Sequence, residues 1–361
     1  MKTIKSYLYL LAFSMLIGLH SCKSDDEPSP DPGPMLPSYI IEESAFGCSN
    51  YRTIATTNSL KINHALEEQG LLVYAGSNRL IVNDAVTNDP LLDEEITVKK
   101  LVAYKGSVMV CAEEGLYEID DTPAVNQRSD RPCRDILVTT NGELLLTLDG
   151  FSDSDRLFKW DEIQGLQEYS DEHPFSCVSL NQLTETSNGN IWCLSCRGAV
   201  SRYSRDGAFL DFFDEDVLPG VIMQSPVDRF LDASGDEMIY TSKRGPLFYQ
   251  VLKFRQGEWI TLFETSLLDS TITEQDAEFM APDIESTLIR DDKLYVATDD
   301  SGCRGIHVFD ITKNEPLQPA DYYVVRDPGL VGQCVNGIST TSNGDIIVTN
   351  LAVNLTIMDC N

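Results

Sequence analysis

Histidine, the side chain most often used for acid–base chemistry near neutral pH, is scarce in this sequence. The 361 residues include four: His20, His64, His173 and His307. His20 lies in a predicted export signal, and the others are far apart without the short spacings of metal ligands, which predicts surface or turn positions for them. No Gly-x-Ser-x-Gly elbow, phosphate-binding loop or His-Glu-x-x-His motif occurs in the sequence. These observations favour a non-catalytic protein.

Carboxyl groups are the abundant residues that could perform chemistry. The 57 acidic residues are enough to supply the carboxyl pair of a glycoside hydrolase, so a secreted glycan-active hydrolase or lyase is the alternative function. Asp149, Asp153 and Asp155 have a calcium-like spacing but lack the bidentate Glu of an EF-hand loop. A solvated hairpin turn is the preferred interpretation there, and no other cofactor or metal is predicted.

The arginines show a positional pattern, since five of them lie at the tight turn inside a predicted β-hairpin. These are Arg79, Arg156, Arg197, Arg244 and Arg304. Guanidinium groups bind carboxylate, sulfate or uronic-acid groups through paired hydrogen bonds. If the turns share one face, they predict a site for an anionic ligand. The alternative is exposed arginines that pair weakly with nearby acids.

The elements that would position these turns form a hairpin that recurs seven times. Four copies begin with nearly the same turn, at 140–142, 187–189, 233–235 and 342–344, and Asn-Gly between β-rich runs is a strong hairpin signal. The predicted strand pairs are 71–74 with 80–82, 108–111 with 115–119, 143–147 with 157–160, 190–194 with 199–203, 237–240 with 247–249, 293–297 with 305–309, and 345–348 with 355–358.

The hairpin spacing is close to the period of four-stranded propeller blades, which predicts an all-β, seven-bladed β-propeller. Runs such as 135–139 and 334–339 would be first strands, and runs such as 208–213 and 259–263 would be fourth strands. The last hairpin lacks an outer strand, so residues 51–57 are expected to supply it and close the ring. A turn of helix is expected only at 63–68 and 276–279. A pair of β-sandwiches is the alternative fold, which regular repetition disfavours.

One blade carries a family resemblance. Residues 187–203, Ser-Asn-Gly-Asn-Ile-Trp-Cys-Leu-Ser-Cys-Arg-Gly-Ala-Val-Ser-Arg-Tyr, resemble the repeat of the regulator-type propellers in periplasmic sensors of Bacteroidetes hybrid two-component systems. That repeat has Asp/Asn-Gly-Asn-Ile-Trp, a short glycine turn and an apolar pair ending in Arg-Tyr. The turns at 141 and 343 match in part. The resemblance implies the fold and a ligand-binding or protein-docking role, and without a histidine kinase segment it implies no signal transduction by this chain.

The cysteine count predicts disulfides. Apart from Cys22, nine cysteines remain in a chain that is expected to be secreted, so one thiol is left over. The propeller register predicts the pairs Cys48 with Cys360, Cys111 with Cys133, Cys303 with Cys334, and Cys177 with either Cys193 or Cys196. The rival interpretation of Cys193-x-x-Cys196 is half a zinc site or a redox pair, which the absence of a second such motif disfavours.

The N-terminus has the pattern of an exported lipoprotein. Lys2 and Lys5 precede an apolar stretch at 7–19 that is too short to span a bilayer, and 19–22, Leu-His-Ser-Cys, resembles the bacterial lipobox. The resemblance implies acylation of Cys22 and membrane attachment through its lipids. We therefore predict a signal peptide over 1–21, a lipidated tether over 22–44 and the propeller over 45–361. An ordinary cleaved signal with a free cysteine is the alternative.

The tether and the overall charge suggest a location and exclude one class of partner. The Pro/Asp-rich run at 23–34 cannot bury apolar area, and its acidic start at 24–27 resembles the export signal of Bacteroidetes lipoproteins that face outward from the outer membrane. An ordinary solvated linker is the alternative. The formal net charge of −30 repels nucleic acid. The expected partners are a membrane, through the anchor, and a glycan or protein ligand.

Overall fold

A computed structural model describes residues 40–41, 43–48, 50–55, 62–76, 78–148, 156–170, 180–195, 197–214, 216–219, 228–244, 248–265, 284–298, 305–318, 320–325, 327, 330, 335–341, 343–350 and 354–360. These residues form 29 β-strands. The structure divides at Ser38/Tyr39, and everything described below lies in the unit from Tyr39 to Asn361. Among the described residues, no helical segment has the length and hydrophobicity that a membrane-spanning helix needs.

The strands are arranged as seven blades. Two strands precede the first complete blade, β1 (Ile40–Ile41) and β2 (Asn50–Ala55). Blade 1 contains β3 (His64–Glu68), β4 (Leu71–Gly76), β5 (Arg79–Asp84) and β6 (Pro90–Glu94). Blade 2 contains β7 (Val98–Tyr104), β8 (Ser107–Ala112), β9 (Gly115–Ile119) and β10 (Val125–Ser129). Blade 3 contains β11 (Cys133–Val138), β12 (Leu144–Leu148), β13 (Arg156–Asp161) and β14 (Gly165–Glu168).

The remaining blades repeat this order of antiparallel strands. Blade 4 contains β15 (Leu180–Glu185), β16 (Ile191–Ser195), β17 (Val200–Tyr203) and β18 (Phe209–Phe213). Blade 5 contains β19 (Arg229–Ser234), β20 (Glu237–Arg244), β21 (Phe248–Arg255) and β22 (Glu258–Glu264). Blade 6 contains β23 (Ile284–Arg290), β24 (Lys293–Thr298), β25 (Ile306–Asp310) and β26 (Tyr322–Val325). Blade 7 contains β27 (Val335–Thr340), β28 (Ile346–Asn350) and β29 (Asn354–Asp359), with β2 outermost.

The first strand of every blade lies on the inside of a closed ring. Contacts join β3 to β7, β7 to β11, β11 to β15, β15 to β19, β19 to β23, β23 to β27, and β27 back to β3. At the last contact a Cβ on Gly337 would lie 2.7 Å from the carbonyl oxygen of Asn63, so only glycine allows the first and last blades to approach this closely. The predicted seven-bladed propeller is confirmed.

Seven hydrophobic clusters form the core, one between each pair of neighbouring blades. A second strand therefore buries both of its faces, and β12 and β16 are buried along their whole length. This explains why the hairpin strands are continuous apolar runs in the sequence, without the alternation of a half-exposed strand.

The ring is closed by a strand from the beginning of the domain, as predicted. In β2, Tyr51 pairs with Met358 and Ile54 pairs with Leu355. A disulfide joins Cys48 to Cys360 across 312 residues. Because the outer strand of blade 7 comes from the other end of the domain, the last sheet is not left with an unpaired hairpin edge.

Two details differ from the sequence-based expectations. Ile40 and Ile41, ahead of the predicted boundary at residue 45, pair in parallel with Val324 and Val325 and make blade 6 five-stranded. The turn of helix predicted at 63–68 is wrong. These residues form β3, because the ring requires an inner strand in blade 1 and its pairing with β4 overrides the helix propensity of Ala, Leu and Glu. The other predicted turn, 276–279, lies outside the described residues.

Candidate ligand site at the channel mouth

The inner strands enclose a cavity of about 460 Å³ in the central channel. All seven contribute to its wall, mostly with residues from the first four positions of the strand, and Leu137, Thr184 and Ser339 extend the wall to the fifth position of theirs. This places the cavity at the end of the channel where the inner strands begin, which we call the channel mouth. Its size is typical of a site for a small molecule.

A recurrent β-bulge shapes this wall. In five inner strands the pairing with the second strand skips one residue near the strand start. The skipped residues are Lys99, Arg134, Asn181, Glu285 and Asn336. A bulge puts two residues opposite one and changes the direction of a side chain. Four of the five skipped residues, all but Asn336, line the cavity.

Four basic residues from three blades line the channel mouth. They are Lys99 and Lys100 from blade 2, Arg134 from blade 3 and Arg229 from blade 5. Three carboxyl groups, those of Asp135, Asp232 and Glu285, share the same wall. In a chain with a formal net charge of −30, a wall with four basic groups and three carboxyl groups is more positive than the average surface, and it is concave and partly desolvated. Such a wall attracts an anion that the rest of the surface repels.

Two of these cations are held by neighbouring carboxylates. Lys99 pairs with Glu113, and the Lys100 Nζ lies 2.8 Å from the Oδ1 of Asp135. The lysine side chains remain 31% and 33% exposed, whereas that of Asp135 is 4% exposed. The ammonium groups are therefore kept at the cavity without being removed from solvent.

The guanidinium group of Arg229 lies against the turn of the preceding blade. A Cβ on Gly198 would come within 2.6 Å of the Arg229 Nε, and the φ angle of Gly198 is +89°. Arg229 also lies beside Tyr240, where burial raises the pKa of the phenol to about 12 against the opposing effect of the arginine charge. Glycine at 198 thus leaves room for the arginine at the cavity wall.

A belt of polar contacts within the cavity wall joins neighbouring inner strands. The Asp135 carboxylate accepts a hydrogen bond from the backbone N–H of Leu183. Gln182 both donates to the carbonyl of Leu231, at 2.9 Å, and accepts from its N–H, at 2.8 Å. Ser339 donates to the carbonyl of Ala65 at 2.9 Å. These bonds fix the position of one inner strand against the next, and with it the shape of the cavity.

Two titratable groups of the wall have strongly shifted pKa values. Burial, followed by the positive charges of Lys100 and Lys99, lowers the pKa of His64 to about 4, so its imidazole is neutral at neutral pH. Burial raises the pKa of the Asp232 carboxyl to about 6, against a hydrogen bond from Thr287 and the charge of Lys100. A perturbed acid in a basic cavity is a common property of functional sites.

The arginines predicted from the hairpin turns are not brought to the cavity where their side chains are described. Arg79 pairs with Asp93 on the outer strand of its own blade, with an Nε–Oδ1 distance of 2.8 Å. Arg197 is exposed in its turn, and neither it nor Arg79 lines the cavity. Arg156 begins β13 and Arg244 ends β20, but their side chains, like the whole of Arg304, lie outside the described residues.

The cysteines follow the predicted register in part. Cys48–Cys360 and Cys111–Cys133 are disulfides. Cys193 is a buried free thiol, so it is not the partner of Cys177. It lies in the core between blades 3 and 4, where burial raises the pKa of the thiol and makes it unreactive. Cys177, Cys196, Cys303 and Cys334 lie outside the described residues, so their pairing stays a prediction.

The other candidate residues are distributed as follows. His64 lines the cavity, while His307 is fully buried in β25, 2.8 Å from the Tyr322 hydroxyl, so the prediction of a surface or turn position is wrong for it. Blade packing, which buries both faces of the inner hairpins, explains the difference. His173 and the calcium candidates Asp149, Asp153 and Asp155 lie outside the described residues. Within the described ranges no group of His, Cys, Asp or Glu side chains could hold a metal ion.

The basic channel residues were missed at the level of sequence. Lys99-Lys100 and Arg134-Asp135 lie at the beginning of inner strands, and the neighbouring residues in those strands are mostly apolar. A pair of charged residues at the same place in successive repeats is a signal for the channel. This signal can be recognised only when the inner strands of different blades are aligned with one another, because the charged residues belong to three different repeats of the sequence.

Known proteins share this fold at low sequence identity. The extracellular domain of the putative hybrid two component system BT3049 from B. thetaiotaomicron is 12% identical, with a TM-score of 0.59 over 86% of this chain and 41% of that one. The Neurospora crassa Pan2 WD40 domain is 12% identical, with a TM-score of 0.55 over 89% and 98%. The structure of YCF48 bound to D1 peptide is 11% identical, with a TM-score of 0.59 over 89% and 100%.

These similarities establish the propeller fold. The chain spans about two fifths of the length of the two-component extracellular domains that it matches. No protein-family model matches the sequence, and no curated protein matches it.

Proposed function

We propose that the protein is a lipoprotein exported from the cytoplasm whose propeller binds an anionic ligand at the channel mouth without chemical conversion. The single observation that carries this proposal is the convergence of Lys99, Lys100, Arg134 and Arg229 on one cavity. Charge-assisted hydrogen bonds to carboxylate, sulfate or phosphate are among the strongest polar contacts in proteins. The ligand is an acidic glycan or an acidic segment of a partner protein.

Long-range electrostatics supports the choice of site. A chain with this negative charge repels anions in general, and the cations at the mouth offset that repulsion locally, which favours binding there. The extracellular two-component domains with the same fold are consistent with a binding role outside the cytoplasm. We place the protein on the outer membrane, held by acylated Cys22 and facing the cell exterior.

A thermal-shift screen tests the binding function. The full chain carrying Cys22→Ala, which lacks the acylation site, would be screened against acidic oligosaccharides, sulfated sugars and acidic peptides, with neutral oligosaccharides as matched controls. Acidic compounds should raise the melting temperature, and the shift should shrink as salt is raised from 50 to about 300 mM because exposed charge interactions are screened. A screen that returns only neutral binders would contradict the proposal.

Membrane attachment is tested by detergent-phase partitioning. Wild-type protein should enter the detergent phase, and Cys22→Ala should stay in the aqueous phase because acyl chains supply the membrane affinity. Ser21→Ala, which keeps a small residue before the cysteine, is the control and should partition like the wild type. Equal partitioning of Cys22→Ala and wild type would contradict the anchor.

The raised pKa of Asp232 supports a second candidate function. A carboxyl group that titrates near pH 6 inside a cavity with further carboxylates could act as the acid of a glycan-active hydrolase or lyase. This function predicts new reducing ends from an acidic oligosaccharide incubated with the protein, and their loss in Asp232→Asn. Binding of the oligosaccharide without release of product over a day would contradict this second function and support the non-catalytic one.

A further inference from the structure

We infer that Asp232 makes the channel mouth selective for carboxylic acids that also carry a hydroxyl group. This inference rests on the proposed anion binding and adds the chemical class of the ligand. It starts from a carboxylate that the anion site itself does not need. An acid among convergent cations weakens the binding of a simple anion, so its presence calls for a further role.

The contacts of Asp232 are incomplete on the protein side. Thr287 donates a hydrogen bond to its carboxylate, but the Oδ2 atom is buried and has no hydrogen-bond partner among the described residues. A buried acceptor left unpaired costs free energy, and native proteins rarely keep one without a reason. Asp232 lines the cavity, so a small rotation of its carboxyl group would expose this oxygen to a donor group of a bound ligand.

The wall therefore offers two kinds of group. Cations from blades 2, 3 and 5 bind the anionic group of the ligand. The Oδ2 of Asp232 accepts a hydrogen bond from a donor group of the same ligand. The asparagines Asn63 and Asn181 are exposed among the lining residues, where they can add further neutral hydrogen bonds. A cyclic hydroxy acid, with its carboxylate and its hydroxyl groups on one rigid ring, matches this arrangement.

A hydroxyl group suits the position better than an ammonium group does. The charge of Lys100 is close enough to Asp232 to lower the pKa of the carboxyl. A ligand ammonium placed there would be repelled by Lys100, whereas a hydroxyl would not. Asp135, which could offset that repulsion, is already engaged by Lys100 and by the N–H of Leu183.

The inference distinguishes ligands that an anion site alone would treat alike. Glucuronate and cyclohexanecarboxylate have a six-membered ring and one carboxylate, but only glucuronate has ring hydroxyls. A third probe, trans-4-aminocyclohexanecarboxylate, replaces the hydroxyls with one ammonium group. The full chain with Cys22→Ala would be titrated with each probe by calorimetry, alone and with Asp232→Asn or Arg134→Gln added.

Asp232→Asn keeps the size of the side chain and replaces the carboxylate with an amide. Glucuronate should bind the wild-type cavity more tightly than cyclohexanecarboxylate does, and Asp232→Asn should weaken glucuronate at least tenfold. The same substitution should leave cyclohexanecarboxylate unchanged or bind it more tightly, because a negative charge has been removed. Arg134→Gln should weaken both acids. This opposite response to Asp232→Asn is not expected from general damage to the fold.

Each contrary result has a definite meaning. If both acids bind, both are weakened by Arg134→Gln, and Asp232→Asn affects them equally, the hydroxyl selectivity is wrong and the anion site stands. Tightest binding of the amino acid probe would also overturn the hydroxyl assignment. If neither acid binds the wild type, or if Arg134→Gln changes nothing, the anion site itself is wrong and the inference falls with it.

Discussion

Cations on the outer part of a blade and cations on the inner strands have different surroundings. Arg79 pairs with Asp93 between the third and fourth strands of blade 1, where the two side chains are 43% and 38% exposed. Lys100 pairs with Asp135 across the boundary between blades 2 and 3, where the carboxylate is 4% exposed. The first pair lies in water, and the second belongs to the belt that joins inner strands.

This difference shows why the turn arginines and the channel cations are not equivalent. An exposed ion pair is screened by solvent and contributes about 0 to 1 kcal/mol to stability. A cation beside a partly enclosed cavity acts through a lower effective dielectric, so the same charge has a larger effect on a bound anion. Position in the ring, more than the number of basic residues, determines where an anion can bind.

The largest expected effect is a loss of stability when the acid of the inner ion pair is replaced. Asp135→Asn should lower the free energy of unfolding by about 2 to 4 kcal/mol, because it removes a charged partner of Lys100 and weakens the acceptor for the buried N–H of Leu183. Asp93→Asn, the matched change on the outer strand, should lower it much less, because solvent screens the exposed pair with Arg79. Urea unfolding of the two variants measures both values, and equal losses would remove the distinction between the two regions.

A smaller effect of opposite sign is expected at Asp232. Its pKa is raised from 3.8 to about 6, so folding disfavours the ionised carboxylate, and the penalty is full above pH 6 and disappears as pH falls toward 4. Asp232→Asn should therefore stabilise the protein by about 2 to 3 kcal/mol at pH 7.5 and by little at pH 4. Urea unfolding across this range measures the difference. Asp93→Asn serves as the control on the outer strand, and a destabilised Asp232→Asn at pH 7.5 would contradict the burial of this charge.

A substitution at Gly198 tests whether the position of Arg229 in the cavity wall matters for ligand binding, and its expected effect is the smallest. Gly198→Ala places a Cβ within 2.6 Å of the Arg229 Nε and should displace the guanidinium group, weakening an anionic ligand severalfold. Gly235→Ala is the matched control, because its φ of +58° also disfavours alanine but its Cβ would meet nothing within 4 Å. Both variants should lose about 1 kcal/mol of stability from backbone strain. Equal binding by the two would mean that the position of Arg229 is unimportant.

The fold could be predicted because its signals are local and repeated. Asn-Gly turns and apolar runs such as 143–147 and 190–194 mark the hairpins, and blade packing makes those runs continuous. Closure by 51–57 followed from the missing outer strand of the last blade. The helix prediction at 63–68 failed because local propensity carries no information about the ring that needs a strand there.

The candidate site could not be predicted in the same way. Lys100, Arg134 and Arg229 come together only through the circular arrangement of blades, and bulges that no local motif reveals direct the side chains of residues such as Arg134. The turn arginines could be located from sequence because turns have recognisable residue patterns. The inner strands have weaker patterns, and their charged residues could be placed only once the register with the second strands was known.

The most direct measurement compares two double variants that remove the same charge. Arg134→Gln/Arg229→Gln changes the channel mouth, and Arg79→Gln/Arg197→Gln changes the hairpin turns, so the net charge of the two proteins is identical. Both would be titrated calorimetrically with glucuronate at one salt concentration, after their folding has been checked. The channel double variant should lose at least tenfold in affinity, and the turn double variant should bind within twofold of wild type. Equal losses, or a loss confined to the turn variant, would contradict the assignment of the anion site to the channel mouth.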